Sequence, residues 1–320
     1  MRTLDAHREL RALLAVLGDD ERDHAVASLA RWQPALFADP ALAAITGVVA
    51  ISSGADTPSM AAAVERVVAL ADDDASRETL RARAADADHV PAALAERETT
   101  VRLRVDGAPL QLTFPEPFRL FVLLCDEIFV RRTYLVPDAA PVPVVYDLGA
   151  NIGLGTLFLA RRFPGARLVA VEPLPSNLRL LHKNLADNGV DAEVRPVAAS
   201  ARAGRTTFHR YPTRHALGSL VLGAMRAPDG SAVQAEPIEV ETVPFARLLD
   251  AERYGLKIDI EGAERYVFDT SIVPSLRHVK RIAIELHDPP SREAFLRCVQ
   301  ASSGQLSQHG EVTLWQQEPH

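Results

Sequence analysis

The residues able to do chemistry stand where apolar runs give way to turns. Asp147 lies near the end of Val144-Val145-Tyr146-Asp147-Leu148, which breaks into Gly149-Ala150-Asn151-Ile152-Gly153-Leu154-Gly155. A second apolar run, Leu168-Val169-Ala170-Val171, ends in Glu172-Pro173. A carboxylate at the end of a strand can accept from an amine or a hydroxyl, and one placed as Glu172 is suits a ribose diol. Further on, Leu256-Lys257-Ile258-Asp259-Ile260-Glu261 and Arg281-Ile282-Ala283-Ile284-Glu285-Leu286-His287 each end in charged groups. Two neighbouring strands ending this way would deliver Asp259, Glu261, Glu285 and His287 to one rim. That company suits a general base or a hard cation such as Mg2+, with Asp259, Glu285 and His287 as the metal donors. Asp259 is the first choice for the base and His287 the second, with Glu261 and Glu285 orienting them. Lys257, if buried, would pair with Asp259 or Glu261.

The glycine turn admits two kinds of nucleotide ligand. A strand, a glycine turn and a helix surround a ligand with backbone N–H groups, and Gly149 and Gly153 are expected to leave it room. A dinucleotide site spaces its glycines as G-x-G-x-x-G, whereas this turn has Gly149-x-x-x-Gly153-x-Gly155. Asp147 would repel a pyrophosphate. It suits instead a cation with an amino group and a sulfonium, the chemistry of S-adenosyl-L-methionine. An NAD-type oxidoreductase remains open on the turn alone, as does a noncatalytic partner-binding protein on the same fold.

The elements that must position these groups alternate. From Val144 the pattern is strand, helix, strand, helix, strand, which implies an α/β doubly wound parallel sheet with the rim at the carboxyl ends of its strands. A helix opens after Pro173 and Pro175 and ends at Asn188-Gly189. Val194–Ala199 reads as the third strand, Gly204–His209 as an added hairpin strand, and Ile238–Val243 as a return to strand. Residues 209 to 234 form a long loop of little periodicity. Upstream, residues 1 to 95 are alanine-rich with stripes at Leu10–Leu17, Ala25–Trp32 and Val64–Leu70, an N-terminal helical domain suited to packing, covering a site or forming a homodimer. Residues 96 to 143 hold a hairpin turning at Asp106-Gly107, an apolar helix from Phe118 to Val130, Tyr134 and a proline-rich linker; Tyr134 reads as packing or as closing over a cofactor. Residues 144 to 320 form the ligand-binding domain.

Composition narrows the classes. A chain of 320 residues, 48% apolar and 24% charged, has ample material for a core. The net charge of −7 argues against nucleic acid as partner. The pairs Arg131-Arg132 and Arg161-Arg162 are expected on solvated helix faces. No apolar run is long enough to span a bilayer, and the first residues lack a signal-like apolar region, so the expected location is cytoplasmic with no membrane partner. Cys125 and Cys298 sit in apolar helical settings and read as buried thiols.

Asp147-Leu148-Gly149-Ala150-Asn151-Ile152-Gly153 followed by Glu172-Pro173, and above all Leu256-Lys257-Ile258-Asp259-Ile260-Glu261-Gly262-Ala263-Glu264, resembles the FkbM family of S-adenosylmethionine-dependent methyltransferases. The resemblance covers about Tyr134 to Asp288. It implies a class I methyltransferase sheet, Rossmann-like, with an antiparallel final strand at Val312–Trp315. It implies methyl transfer to oxygen on a small-molecule hydroxyl acceptor such as a polyketide or sugar. By the same pattern Asp147, Gly149, Asn151 and Gly153 would line the methionine end, Glu172 and Pro173 the ribose, and Val197 and Ala198 the adenine. The chain departs from the pattern after the acidic helix, where Val267-Phe268-Asp269-Thr270 replaces a leucine-glycine pair.

Overall fold

The computed structural model describes residues 57–85, 98–115, 118–136, 141–210, 236–261, 263–269, 271–300, 303–309 and 311–317. The stripes expected at Leu10–Leu17 and Ala25–Trp32, and the loop beyond Arg210, lie outside them. The chain divides into two compact units, residues 1–62 with 223–234 and residues 63–222 with 235–320; the sheets and the candidate site belong to the second.

Helices α1 (Thr57–Ala69) and α2 (Asp74–Ala85) precede the antiparallel pair β1 (Glu98–Val105) and β2 (Ala108–Pro115). Val101, Leu103 and Val105 alternate inward from β1, as a strand with one covered face requires. Asp106 and Gly107 both have positive φ, 52° and 78°, the conformation of a two-residue type I′ turn. Helix α3 (Phe118–Cys125) does not run on to Val130 as a single α-helix; it passes into a π-helical turn, Asp126–Val130.

The remaining elements are β3 (Val144–Leu148), α4 (Leu154–Arg162), β4 (Arg167–Val171), α5 (Pro175–Asp187), β5 (Glu193–Arg195), β6 (Ala198–Ser200), β7 (Gly204–Arg210), β8 (Glu236–Pro244), α6 (Phe245–Leu248), β9 (Tyr254–Ile258), α7 (Glu264–Val267), α8 (Val273–Leu276), β10 (Val279–Glu285), α9 (Pro289–Val299), β11 (Gly304–His309) and β12 (Val312–Gln317). The main sheet has the order β11-β12-β10-β9-β3-β4-β5. Strands β10, β9, β3, β4 and β5 are parallel, and β12 runs antiparallel to β10. This is the class I methyltransferase sheet with its antiparallel final strand. β3 is wholly buried, and Tyr146, Leu148, Val169, Ile258, Ile282, Phe295 and Trp315 share one apolar core.

The expected third strand, Val194–Ala199, is not one strand. Pro196 has no N–H to continue the ladder, and the chain turns there with Val197 N donating to the Arg195 carbonyl at 2.9 Å. β5 stays on the main sheet, while β6 joins β8 and β7 in a separate three-stranded sheet.

The hairpin is locked onto the sheet domain by two asparagines one helical turn apart. Asn184 accepts from Thr113 N at 2.8 Å and donates to the Thr113 carbonyl at 2.9 Å; Asn188 does the same to Gln111, at 2.9 and 2.7 Å. Four residues of helix rise about 6 Å, close to the span of two strand residues, so the two amides imitate a neighbouring strand along β2. Asn184 also donates to the Ile152 carbonyl in the glycine turn at 2.8 Å. Arg161, expected on a solvated face, instead reaches the hairpin turn, donating to the Val105 carbonyl at 2.7 Å and to the Pro109 carbonyl at 2.5 Å. Cys125 and Cys298 are free and buried.

Candidate functional site

The carboxyl ends of β3, β4 and β9 surround a cleft. Gly149, Asn151, Glu172, Pro173, Val197 and Ala198 line it, as do Asp259 and Glu261. These sequence-selected residues therefore converge. Asp147 and Gly153 do not line the cleft, and both depart from their expected placement for physical reasons.

Asp147 is directly opposite Lys257 in the β3–β9 register, and both side chains are buried. Lys257 Nζ stands 3.1 Å from Asp147 Oδ1, donates to the Gly149 carbonyl at 2.9 Å, and lies 3.6 Å from Asp259 Oδ2. Thr156 donates to the other Asp147 oxygen at 2.7 Å. Burial alone would lower the Lys257 pKa, but Asp147 and Asp259 outweigh it and keep the ammonium charged. Asp147 thus holds the underside of the turn rather than facing into it. The pairing with Lys257 arises from strand register, which the sequence does not display.

Both glycines allow a close approach by protein. A Cβ on Gly149 would press on the carbonyl group of Asp259, with the carbonyl carbon at 2.8 Å; one on Gly153 would meet Leu181 Cδ1 at 2.9 Å. Both have positive φ, 77° and 97°. The turn can therefore cross the end of β9 and lie against α5 only with glycine at these points.

Glu172 sits at the end of β4, 4% exposed. Its Oε2 accepts from Asn151 N at 2.9 Å, and its Oε1 from Leu174 N at 2.9 Å and Asn177 Nδ2 at 3.3 Å. Burial pushes its pKa up to about 7 against these hydrogen bonds. A carboxylate has room for about four hydrogen bonds, so Glu172 keeps accepting capacity for about one more. Sequence reasoning missed Asn177 and Phe208, which also line the cleft. Asn177 had a signal in its place at the start of the helix after Glu172; Phe208 had none, because β7 reaches the cleft through the small sheet.

The acidic cluster assembles beside the cleft. His287 Nδ1 is 3.0 Å from Glu264 Oε1, while its Nε2 faces Glu261, Glu285 and Asp259 oxygens at 3.6, 3.7 and 3.8 Å. Ligand atoms of Asp259, Glu285 and His287 all lie within 4.8 Å of one another. Burial works against the imidazolium, yet the Glu264 hydrogen bond and the surrounding carboxylates hold its pKa well above the usual value. Burial, reinforced by the Asp259 charge, also holds the Glu261 and Glu285 carboxyls above the ordinary carboxylate range. Glu264, which sequence reasoning did not single out from its motif, is fully buried under this group. β9 ends at Ile258, so Asp259 and Glu261 stand on the turn after it, Glu261 with φ 55°.

The family described as the methyltransferase FkbM domain matches residues 147–318. The chain belongs to the FkbM methyltransferase family. Among curated relatives, the 31-O-demethyl-FK506 methyltransferase FkbM of Streptomyces tacrolimicus is 32% identical over 51% of this chain and 73% of its own length. Methyltransferase sdnD of Sordaria araneosa is 28% identical over 53% of this chain and 78% of its own length. The AMB antimetabolite synthetase AmbE of Pseudomonas aeruginosa is 40% identical over 34% of this chain, a stretch that is only 5% of that protein. The family is one of methyltransferases. No helix among its described residues is long and apolar enough to cross a membrane.

Proposed function

We propose that this FkbM-family methyltransferase binds S-adenosyl-L-methionine in the cleft and methylates a hydroxyl of a small molecule. The observation that carries the reading is the position of Asp259, which lines the same cleft as Glu172 and the glycine turn. The residues fit the cofactor: Glu172 retains accepting capacity for a ribose diol, Val197 and Ala198 offer an apolar wall for a base, and Gly149 and Asn151 offer the turn. The bound cofactor would supply a methyl already activated on a sulfonium. The chain must then orient the acceptor in line and remove its proton. Asp259 is the base: its carboxylate takes the hydroxyl proton as the oxygen gains the methyl. Lys257 and His287 stand beside the two oxygens of that carboxylate and hold it in place. The names of FkbM and sdnD, methyltransferases both, support an acceptor of the natural-product kind.

A second role for the same groups is ligation of a hard cation such as Mg2+ by Asp259, Glu285 and His287, favoured by their mutual spacing. Incubation with S-adenosylmethionine and a panel of polyketide and sugar alcohols, read by mass spectrometry, tests the reading. Transfer to a hydroxyl is expected, with Asp259→Asn cutting turnover by about 10²–10⁴. Full turnover in Asp259→Asn removes Asp259 as the base. Loss of transfer in EDTA, restored by Mg2+, moves the three side chains to the metal role.

A further inference from the structure

We infer that Asn177 is a positioning residue for the cofactor's ribose, acting through Glu172: its amide fixes the carboxylate that accepts from the diol. The inference rests on the proposed binding of S-adenosyl-L-methionine in the cleft, with Glu172 at the ribose. Asn177 is 4% exposed, stands in the first turn of α5, and lines the cleft together with Glu172. Its Nδ2 donates to Glu172 Oε1 at 3.3 Å. An ionised carboxylate only accepts, so the amide must offer its nitrogen there and not its oxygen.

The start of α5 is built around this carboxylate. Pro175 opens the helix with no N–H to offer, and Leu174 before it has no side chain able to cap. Glu172 takes the capping role from two residues upstream, accepting from Leu174 N at 2.9 Å, where the amino end of a helix favours an anion. Asn177 adds a side-chain donor to the same oxygen, while the other oxygen accepts from Asn151 N in the glycine turn. Asn177 is itself held in place from further along the helix. Asn184, seven residues on and so on the same face of α5, binds the Ile152 carbonyl of the glycine turn and the backbone of Thr113. The helix cannot rotate against the cleft without breaking those bonds.

The balance at Glu172 makes the side-chain donor matter. Two backbone N–H groups and the Asn177 amide oppose burial, Lys257 favours the charged form as well, and the pKa still stands at about 7. Removing a hydrogen bond to the ionised form moves that balance toward the neutral carboxyl at neutral pH. A neutral carboxyl accepts about half as strongly as an ionised one. The carboxyl also loses the contact that fixes one of its oxygens from the helix side. The Asn177 bond is the longest of these, yet it is the one that a substitution removes without touching the backbone.

Calorimetry of the full chain at neutral pH with two ligands reads the role. One is S-adenosylhomocysteine; the other is its 2′,3′-dideoxy analogue, which lacks the diol and keeps the rest. Wild type is expected to prefer the diol-bearing ligand by about 10–100-fold, the strength of hydrogen bonding to a charged acceptor. Asn177→Leu, close in size and without a donor, is expected to weaken S-adenosylhomocysteine by about tenfold and the analogue by less than about twofold, so that the preference shrinks. A merely structural role would weaken both ligands alike. Should the Leu variant fail to fold, Asn177→Ala, which removes the amide and adds no methyl groups to the buried site, carries the same expectation. Equal weakening of both ligands, or an unchanged preference, in a folded variant overturns the positioning role and leaves the cofactor site standing. Absence of any preference for the diol in wild type overturns it too. Failure of folded wild type to bind either ligand overturns the cofactor reading of the cleft instead.

Discussion

Gly149→Ala separates two reasons for a glycine in the turn after β3. If the residue only leaves space for a ligand, alanine costs the ligand-free fold no more than its backbone conformation does, about 1–2 kcal/mol. The structure gives it a different task, because the added Cβ would press on the Asp259 carbonyl, closer than the 3.0 Å at which something must shift. The obstacle is backbone at the end of a central strand, so it cannot swing aside as a side chain would. Alanine at φ 77° costs about 1–2 kcal/mol by itself. Moving the turn off β9 would also break the Asp259 N to Leu148 carbonyl bond at 3.0 Å and the Lys257 bond to the Gly149 carbonyl. Those losses add about 2–3 kcal/mol, a bond from a charged donor being the larger part. The total expected is about 3–5 kcal/mol, a large share of the stability of a typical domain. Urea unfolding of ligand-free wild type and variant, followed by circular dichroism, measures it directly. A difference under about 2 kcal/mol, no more than the backbone conformation accounts for, would show that the crossing of the strand end does not require glycine, and would refute the reasoning.

Three further outcomes are expected from the same contacts. Asn184→Ala should destabilise the fold by about 3–5 kcal/mol in urea, because it leaves Thr113 N–H, the Thr113 carbonyl and the Ile152 carbonyl without their buried partner; a loss below about 1 kcal/mol would mean the hairpin is held by apolar contact alone. Ligand-free protein should lose melting temperature as pH rises from about 5 to 8. Glu172, with its pKa pushed up to about 7, and Glu261, Glu285 and His287, all raised, bind protons more tightly folded than unfolded, so their contribution is full below the unfolded pKa and fades as pH climbs through the folded one. Calorimetric scans across that window showing rising stability would contradict the burial of these groups. Arg161→Ala should loosen the hairpin turn, read as faster amide exchange at Gly107 and Ala108, with exchange at β3 unchanged.

Much of the fold is legible in the sequence where the signal is local. The strand, glycine turn and helix at Val144–Arg162, the Asp106-Gly107 hairpin and the Pro175 helix ending at Asn188-Gly189 come from short-range pattern, whereas the antiparallel strand at Val312 is implied by the family resemblance. The carboxyl-end placement of Glu172, Asp259, Glu285 and His287 is legible too, since acids ending successive parallel strands must share a rim. The features the sequence conceals depend on register and on distant partners. Asp147 reads as a ligand-facing carboxylate until the β3–β9 register sets Lys257 opposite it. Gly149 and Gly153 announce close approach but not what approaches. Arg161 looks like one of a solvated pair until the hairpin carbonyls fold over it. Pro196 is visible, but the apolar residues around it mask the break it makes between two sheets.

The central claim is that the cleft at the ends of β3, β4 and β9 is a cofactor site of the S-adenosyl kind. Isothermal titration of the full chain with S-adenosylhomocysteine, with NAD titrated in parallel, tests it most directly. The account predicts saturable one-to-one binding of S-adenosylhomocysteine and none of NAD. It also predicts that the ligand, at about 100 times its dissociation constant, will stabilise the fold by about 2.7 kcal/mol. Saturable binding of NAD in its place, or no binding of S-adenosylhomocysteine by folded protein, would contradict it.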